Sequence, residues 1–233
     1  MTPFPLNSFS EVCCKAGARP FNYQMGWHGV SSRCRVLTKM RQCGADWYFS
    51  LEALADALVT GRNQIFLGCG NGHSLVNKAY INAFINQGEP PLQNCVLQAT
   101  DHWLELVNGA HIHFIDPDSL CAGLSGNVYV SEYAWANSPK NVIAIAKGLS
   151  MHNRHHATYY TTPSDNPEAL REHKKLIAGR SAVHLTLTPE DLRASDETLF
   201  SEERLNELKQ EISAEGWKML FMCEWPGPSR EAM

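Results

Sequence analysis

Two hydrophobic patterns alternate along the first half of the chain. Short apolar runs typical of buried strands occur at residues 35–38 and 64–69. Apolar residues recur at helical spacing over residues 47–58, which Gly61 ends, and again over residues 74–84. Strands that alternate with helices in this order predict a parallel sheet with helices packed against it.

A β-hairpin is predicted in the middle of the chain. The apolar residues 104–107 and 111–114 flank the dipeptide Asn108-Gly109. This dipeptide favours a type I′ turn, because both of its central positions need a positive φ angle.

Two more strands and one more helix are predicted farther along. Residues 127–130 and 157–162 are rich in β-branched and aromatic side chains, and residues 201–213 show helical spacing of leucine and isoleucine. Residues 1–20 contain prolines and little periodicity, so we expect an irregular leader there. Together these elements predict an α/β fold with a mostly parallel sheet flanked by helices, in which ligands bind at the carboxyl ends of the strands.

The composition fits an ordinary soluble globular protein. The chain has 233 residues, of which 44% are hydrophobic and 19% charged, which excludes disorder and collagen-like structure. It has no apolar run of bilayer-spanning length, so no membrane association is expected.

The eight cysteines form no C-x-x-C pair and suit a reducing cytoplasm. A net charge of −4 does not favour non-specific nucleic-acid binding, although the 20 lysines and arginines could still line one channel.

A basic segment joins the first predicted strand to the first predicted helix. Residues 39–46 occupy the position where loop amides and a helix N-terminus bind phosphate. The segment departs from the strict pattern G-x-x-x-x-G-K-[ST], because it has a single glycine and no terminal serine or threonine. The alternative is a basic turn in which Asp46 caps the helix.

Three further candidates are polar side chains near the predicted strands. Glu132 follows an apolar strand, where a carboxylate can hold Mg²⁺ and orient a water molecule, or can simply be solvated. Thr161 and Thr162 could sense a γ-phosphate or cap a turn. The amide of Gln24 matches the edge of an adenine, but the surrounding aromatic residues are also typical of packing.

These pieces, in this order, resemble the ATPase part of the large terminase subunit of tailed phages. Residues 39–49, K-M-R-Q-C-G-A-D-W-Y-F, are similar to a loop of one branch of that family, which reads roughly K-S-R-Q-x-G-A-T-W-Y-F. The likeness runs from about residue 21 to residue 225. Its other matching segments are residues 60–67, 108–110, 125–135, 158–164 and 220–225.

The resemblance implies a P-loop NTPase-like fold and a motor that uses ATP and Mg²⁺ to push double-stranded DNA into a procapsid. Glu132 and Arg41 would be catalytic, Glu132 polarising water and Arg41 serving as the phosphate-binding cation. Thr161 and Thr162 would couple the phosphate state to movement. The implied cofactor-binding residues are Gln24, Lys39, Arg41, Gln42, Gly44, Ala45, Asp46, Thr161 and Thr162.

The same resemblance implies partners and a domain organisation. The expected partners are double-stranded DNA, the portal and the terminase small subunit, in the host cytoplasm, with a homo-oligomer left open. Residues 21–165 would form the ATPase-like core, and residues 166–233 a shortened C-terminal part of the ATPase region. The nuclease domain that follows in the family is expected to be absent, and with it any cutting of DNA.

Two departures from the family pattern fall on the metal side of the site. Asp46 stands where the family usually has threonine or serine, and Ser131 stands where it has aspartate. An exchange that preserves the ligand types would make Asp46 and Ser131 the metal ligands. Without that compensation the chain would be a catalytically inactive remnant, acting as a binding or assembly module.

A histidine-rich segment offers a separate hypothesis. His152, His155 and His156, with His173, could form a metal site, because residues three or four apart share a helix face. The favoured alternative is a set of solvated histidines on a basic segment with Arg154.

Overall fold

One mixed sheet organises the protein, whose computed structural model describes residues 5–195 and 200–227. Among these residues the strand order is β3-β4-β5-β2-β6-β7-β1-β8. The pairs β3–β4 and β4–β5 are antiparallel, and all other neighbours are parallel, which confirms the predicted α/β fold. The strands are β1 (Cys34–Lys39), β2 (Gln64–Leu67), β3 (Val96–Ala99), β4 (Trp103–Leu106), β5 (His111–Ile115), β6 (Asn127–Ser131), β7 (Ala157–Thr161) and β8 (Ala182–Leu187).

Helices cover both faces of this sheet, and successive strand residues alternate between the two cores. In β6, for example, Tyr129 joins the core beneath one set of helices, whereas Val128 and Val130 join the core on the other face. No helix in the described part of the chain is long and apolar enough to cross a bilayer. The helices are α1 (Phe9–Lys15), α2 (Asn22–His28), α3 (Ala45–Thr60), α4 (Leu75–Gln87), α5 (Pro139–Leu149), α6 (Pro167–Ile177), α7 (Pro189–Ser195), α8 (Glu202–Glu211) and α9 (Ala214–Leu220).

The predicted hairpin is present, but its predicted turn type is wrong. Gly109 has a φ of 85°, whereas Asn108 is not among the residues with positive φ, so the turn is not type I′. The Gly109 N–H donates to the Leu106 carbonyl, and the Leu106 N–H to the Ala110 carbonyl, which makes a three-residue loop with glycine in the left-handed position. The Asn108 side chain is instead used to cap α3, since its amide donates to the carbonyls of residues 57 and 58.

The expected irregular leader contains a helix, which is a correction to the sequence interpretation. Helix α1 begins after Ser8, whose side chain accepts a hydrogen bond from the Glu11 N–H. Val12 and Cys13 on this helix are buried in the core that also contains α3. Seven residues are too few for the apolar periodicity to stand out, and packing against α3 supplies the stability.

The strand order brings the predicted site segments to one edge of the sheet. Strands β6, β7 and β1 are neighbours and run parallel, so their carboxyl ends lie side by side. Strand β8 lies beyond β1 and extends the sheet with residues that follow position 165. Lys39, Ser131 and Thr161 are the last residues of β1, β6 and β7, respectively.

A buried histidine makes the stability of this fold depend on pH. The Nη2 atom of Arg35 lies 3.1 Å from Nε2 of His156, and because guanidinium can only donate, Nε2 must be unprotonated. Burial, with Arg35 as the next cause, lowers the pKa of His156 to about 3. Between that value and the unfolded value of about 6.5, the unfolded chain binds more protons than the folded one.

We therefore expect the free energy of unfolding to fall as the pH is lowered from 7 to 4.5, with a slope for His156 that approaches about 1.4 kcal/mol per pH unit below pH ~5.5. Urea denaturation at several pH values measures this slope. His156→Gln keeps an acceptor for Arg35 and should flatten the slope, whereas His102→Asn at an exposed position should not. An unchanged slope in His156→Gln would contradict this assignment.

Candidate functional site

The loop after β1 has the backbone geometry of an anion cradle. Gln42 and Gly44 both have positive φ angles, 61° and 78°, and Gly44 is the N-cap of α3. Within the described chain, no backbone carbonyl accepts from the N–H groups of Gln42, Gly44 or Asp46. Free amides at a helix N-terminus attract phosphate oxygens, so this loop offers the donors that an anion-binding loop needs.

Two backbone hydrogen bonds tie this loop to the C-terminal part of the fold. The Met40 N–H donates to the Leu187 carbonyl at the end of β8 at 2.9 Å. The Arg41 N–H donates to the Leu220 carbonyl at the end of α9 at 3.0 Å. These bonds hold the backbone in place where the loop begins.

Gln24 supports the loop from behind. Its Nε2 donates to the Gly44 carbonyl at 3.2 Å and to the Tyr23 hydroxyl at 3.1 Å, while its Oε1 accepts from the Phe21 N–H at 2.8 Å. The side chain is fully buried, so these contacts would have to break before the amide could meet an adenine. As placed, Gln24 positions Gly44.

An ion pair joins the start of the loop to the end of β6. The Lys39 ammonium contacts Glu132 Oε1, and it also donates to the Thr162 hydroxyl at 3.3 Å. Burial by itself would raise the pKa of the Glu132 carboxyl, but the opposing Lys39 and the hydrogen bonds that the carboxylate accepts hold it below its usual value. Burial by itself would lower the pKa of Lys39, but Glu132 outweighs it and raises this pKa. Both groups are therefore charged at neutral pH.

The end of β7 fixes the other oxygen of the same carboxylate. Glu132 Oε2 accepts from the Thr162 N–H at 2.8 Å and from the Thr161 hydroxyl at 3.3 Å. Glu132 itself has a φ of 51°, in the left-handed region that non-glycine residues rarely adopt. Such strain persists where the surroundings hold it in place, and these contacts aim the carboxylate at the loop.

The two side chains expected to hold the metal touch each other. The Ser131 hydroxyl donates to Asp46 Oδ1 at 2.9 Å, and the Tyr160 hydroxyl donates to the same oxygen at 2.8 Å. The other carboxylate oxygen, Oδ2, has no hydrogen-bond partner among the described residues. A carboxylate and a hydroxyl are hard oxygen ligands of the kind that Mg²⁺ takes, with substrate phosphates and water completing its shell. The residues present therefore fit the ion.

A cleft of about 450 Å³ opens above these groups. The structure brings most of the predicted site residues to its walls, namely Lys39, Arg41, Gln42, Gly44, Ala45, Asp46 and Glu132. Gln24, Ser131, Thr161 and Thr162 do not line it; they are buried behind the lining residues that they hold. The exposed Arg41 guanidinium lies 5.2 Å from the centre of the Trp135 ring, a cation–π contact at the mouth of the cleft.

Sequence reasoning missed the opposite wall of the cleft. Helix α4 contributes Val76 and Tyr80, four residues apart and partly exposed, with His73 just before the helix. Exposed apolar residues at helical spacing were the available signal. Asn77, buried on the other side of α4, donates to the Ser50 hydroxyl at 3.0 Å and to the Asp46 carbonyl at 3.3 Å, which links α4 to the first turn of α3.

The histidine hypothesis receives no geometric support. His173 lies with Tyr133, whose hydroxyl is 2.8 Å from its Nδ1, and stacks on Trp225. His152 and His155 lie elsewhere, near the start of β7, with ring centres 6.0 Å apart. Over residues 5–195 and 200–227, no group of three histidine, cysteine, aspartate or glutamate side chains could hold a metal ion.

Comparison with known proteins identifies relatives of this chain. Residues 36–231 match the family "Terminase large subunit, T4likevirus-type, N-terminal". The chain is 31% identical over 235 residues to the "Terminase, ATPase subunit" of Escherichia phage P2, covering 88% of this chain and 38% of that protein. It is 29% identical over 219 residues to the "Probable terminase, ATPase subunit" of Haemophilus phage HP1, covering 82% and 35%. The chain thus spans little more than a third of the length of these relatives.

Solved structures show the same fold. The HK97 bacteriophage large terminase superposes with a TM-score of 0.72 at 14% identity, over 94% of this chain and 56% of that one. The large terminase ATPase domain of Thermus phage P74-26 gives a TM-score of 0.65 at 12% identity, over 95% of this chain and all (100%) of that one. The large terminase of a thermophilic bacteriophage in complex with ATP-gamma-S gives a TM-score of 0.59 at 12% identity, over 88% and 53%.

The ion pair between Lys39 and Glu132 should be measurable in the ligand-free protein. Lys39→Met leaves a largely buried carboxylate without its counter-charge and should cost about 3 kcal/mol of unfolding free energy. Adding Glu132→Gln should recover a large part of that loss, giving a coupling energy of about 1–3 kcal/mol. Urea denaturation of the two single variants and the double variant measures it.

The exposed pair between Arg204 and Glu207, 3.0 Å apart, provides the control cycle. Its coupling should be near zero, because solvent screens the two charges. Additive effects of the Lys39 and Glu132 substitutions would show that the pair does not form.

Proposed function

The chain belongs to the N-terminal family of phage terminase large subunits, and we propose on this basis that it is the ATPase portion of a DNA-packaging motor. The observation that carries the proposal is the position of Glu132, which faces the phosphate loop and is paired with the lysine that begins it. ATP would bind in the cleft between the loop and α4. The relative whose structure contains ATP-gamma-S has the same fold and supports this choice of nucleotide.

The loop would bind the phosphates through its backbone. The free amides of Gln42, Gly44 and Asp46 can each donate to a phosphate oxygen, and the dipole of α3 adds to the attraction. Ala45 follows without a bulky side chain, so the backbone can come close. Arg41 is the exposed cation beside these amides. Its guanidinium would move away from the Trp135 ring and bind the phosphates, in the role of the usual P-loop lysine.

Asp46 and Ser131 would hold Mg²⁺ between them. When bound, the ion neutralises the developing charge on the phosphate oxygens. Without it, the Asp46 carboxylate would repel a phosphate by about 4 kcal/mol at 4 Å for an effective dielectric constant of 20. The hydrogen bonds from Ser131 and Tyr160 orient this carboxylate before the nucleotide arrives.

Glu132 would orient the attacking water and accept a hydrogen bond from it. In the ligand-free protein its carboxylate is neutralised by Lys39, so the base is held in an inactive pair. An incoming γ-phosphate competes for the Lys39 ammonium and frees the carboxylate to face the water. Thr161 and Thr162, which bond the same carboxylate, would transmit this change to the end of β7.

The partners, the cellular location and the domain organisation are proposed from the family. Double-stranded DNA would be the cargo, the portal and terminase small subunit the protein partners, and the host cytoplasm the place of action, with several copies of the chain acting together. We retain residues 21–165 as the ATPase-like core. Residues 166–233 would complete the ATPase region.

A second candidate function is favoured by the substitutions themselves. Asp46 and Ser131 differ from the family pattern at both metal-side positions. If the exchange does not restore a metal site, the chain would be a catalytically inactive terminase remnant that keeps its binding or assembly surfaces.

ATP hydrolysis distinguishes the two functions. We expect Mg²⁺-dependent phosphate release from ATP, and a loss of about 100-fold or more in kcat for Glu132→Gln, because a positioned general base contributes that much. Glu203→Gln, at an exposed position on α8, is the matched control and should leave kcat unchanged. Absence of both hydrolysis and ATP-gamma-S binding in the presence of Mg²⁺ would leave the remnant function.

Exchanging the two metal-side residues tests the assignment of Asp46 and Ser131. Asp46→Thr removes the anionic ligand beside Ser131, so this single variant should require about tenfold more Mg²⁺. The double variant adds Ser131→Asp. It restores one carboxylate and one hydroxyl and should return close to the original requirement. Titration of Mg²⁺ against ATP-gamma-S binding measures this, and equal or greater impairment of the double variant would refute the exchange.

A further inference from the structure

A second cavity lies at the opposite edge of the sheet from the nucleotide cleft. Its volume is about 500 Å³. Its walls come from the amino end of β1, the loop before β7, helix α3 and the residues that follow α2. Arg35, near the amino end of β1, lines this cavity, whereas Lys39, the last residue of the same strand, lines the cleft.

The charged side chains on the floor of the cavity are paired with each other. Arg35 pairs with Glu52 on α3, and its Nε also donates to the Thr158 hydroxyl at 2.9 Å. The Tyr48 and Tyr129 hydroxyls donate to the same Glu52 carboxylate at 2.8 Å and 3.0 Å. Since these groups complete one another, the charge of the cavity is set at its rim.

The rim is cationic. Arg33, Arg62 and Arg154 all line the opening, and of these only Arg62 has a carboxylate partner in the described part of the chain, namely Asp56. That carboxylate is occupied further, because it also accepts from the Gln64 side chain at 2.7 Å. Arg33 and Arg154 therefore leave an uncompensated positive charge at the rim.

The arginines are held by neutral groups of a single loop, the one between α5 and β7. Arg33 donates to Asn153 Oδ1 and to the Met151 carbonyl, both at 3.1 Å. Arg62 donates to the Arg154 carbonyl at 3.3 Å. Because Arg33 and Arg154 lie near one another without a carboxylate between them, this part of the surface attracts anions.

A histidine on the wall adds an unused donor. Nε2 of His155 accepts from Arg154 Nε at 3.4 Å, which places the proton of the neutral ring on Nδ1. That Nδ1 atom is buried, since the residue is only 2% exposed. It has no hydrogen-bond partner among the described residues. Buried polar atoms are nearly always hydrogen-bonded, so this N–H is a donor that an oxygen of a ligand or of a water molecule would satisfy.

The charges around His155 favour the neutral form of its ring. Burial first, and then Arg154 and neighbouring groups, lowers the pKa of His155. The ring therefore stays neutral while the rim remains positive, and an anion that neutralised the rim would reverse part of the effect of Arg154.

We propose that this cavity is a phosphate-binding site, distinct from the nucleotide cleft, that takes the phosphate of a small phosphorylated molecule or of a nucleic-acid backbone. Guanidinium groups match phosphate oxygens in charge and in paired-donor geometry. Apolar walls from Phe9 and Val59 suit the organic part of such a ligand. This site does not depend on ATP hydrolysis in the cleft.

Histidine NMR of the full chain tests the site directly. At constant ionic strength, inorganic phosphate, deoxyadenosine monophosphate and a short DNA duplex are titrated separately while the ring resonances of His155 and His156 are followed. These should shift saturably with phosphate. His73, which lines the nucleotide cleft, reports phosphate binding there on a separate signal.

Matched variants decide whether the rim binds the phosphate. Arg33→Gln and Arg154→Gln, both at exposed positions, should each weaken the binding seen at His155 roughly tenfold while leaving the unfolding midpoint unchanged. Arg204→Gln removes the same charge from α8 and should leave the affinity unchanged. Saturation by the duplex at lower phosphate concentration identifies the backbone as the source, and saturation by the small molecules alone identifies a free phosphorylated ligand.

Two results would overturn the proposal. One is a linear, non-saturating response of His155 and His156 to all three probes. The other is an equal loss of affinity in Arg204→Gln and in the two rim variants, which would assign the effect to net charge alone.

Discussion

The ion pair between Lys39 and Glu132 joins two strands at the point where both end. It draws Lys39, at the start of the loop after β1, toward the acid that follows β6, and Thr162, directly after the intervening strand β7, contacts both side chains. Because three adjacent strand ends converge on one pair of charges, the loop cannot move independently of the acid. The cleft, the strained backbone at Glu132 and the positions of the threonines are all consequences of this arrangement.

The hydrogen bond between Ser131 and Asp46 joins the end of β6 to the first turn of α3. The two side chains are 85 positions apart in sequence, yet their polar atoms are 2.9 Å apart. This contact places one carboxylate and one hydroxyl side by side from two different elements.

Most of the central elements could be predicted from the sequence because they are buried on both faces. Strands β2 and β6 are continuous apolar runs, and α3 has regular spacing and a glycine at its end. Strand β8 is partly exposed and mixes polar with apolar residues, so it carries no clear pattern, although it completes the sheet beside β1. The turn type was wrong because the Asn108 side chain bonds to α3, a long-range contact that local propensity does not contain.

The candidate site could be predicted only in part. The resemblance supplied the loop, Glu132 and the two threonines, and the parallel order of the strands explains why these come together. The partner of Glu132 could not be found in this way, since Lys39 lies 93 positions away and was expected to contact phosphate. The interpretation of Gln24 rested on its hydrogen-bonding groups, and the fold uses those groups to support Gly44.

The attachment of the phosphate loop to the rest of the chain has a mechanical consequence. Met40 and Arg41 are bonded through their backbones to the ends of β8 and α9, so the loop after β1 is anchored both to the edge strand of the sheet and to this helix. A tilt of the Arg41 peptide would pull on the last turn of α9. A change in the loop backbone would therefore be passed directly to β8 and to α9, two elements that lie far along the chain from the loop itself.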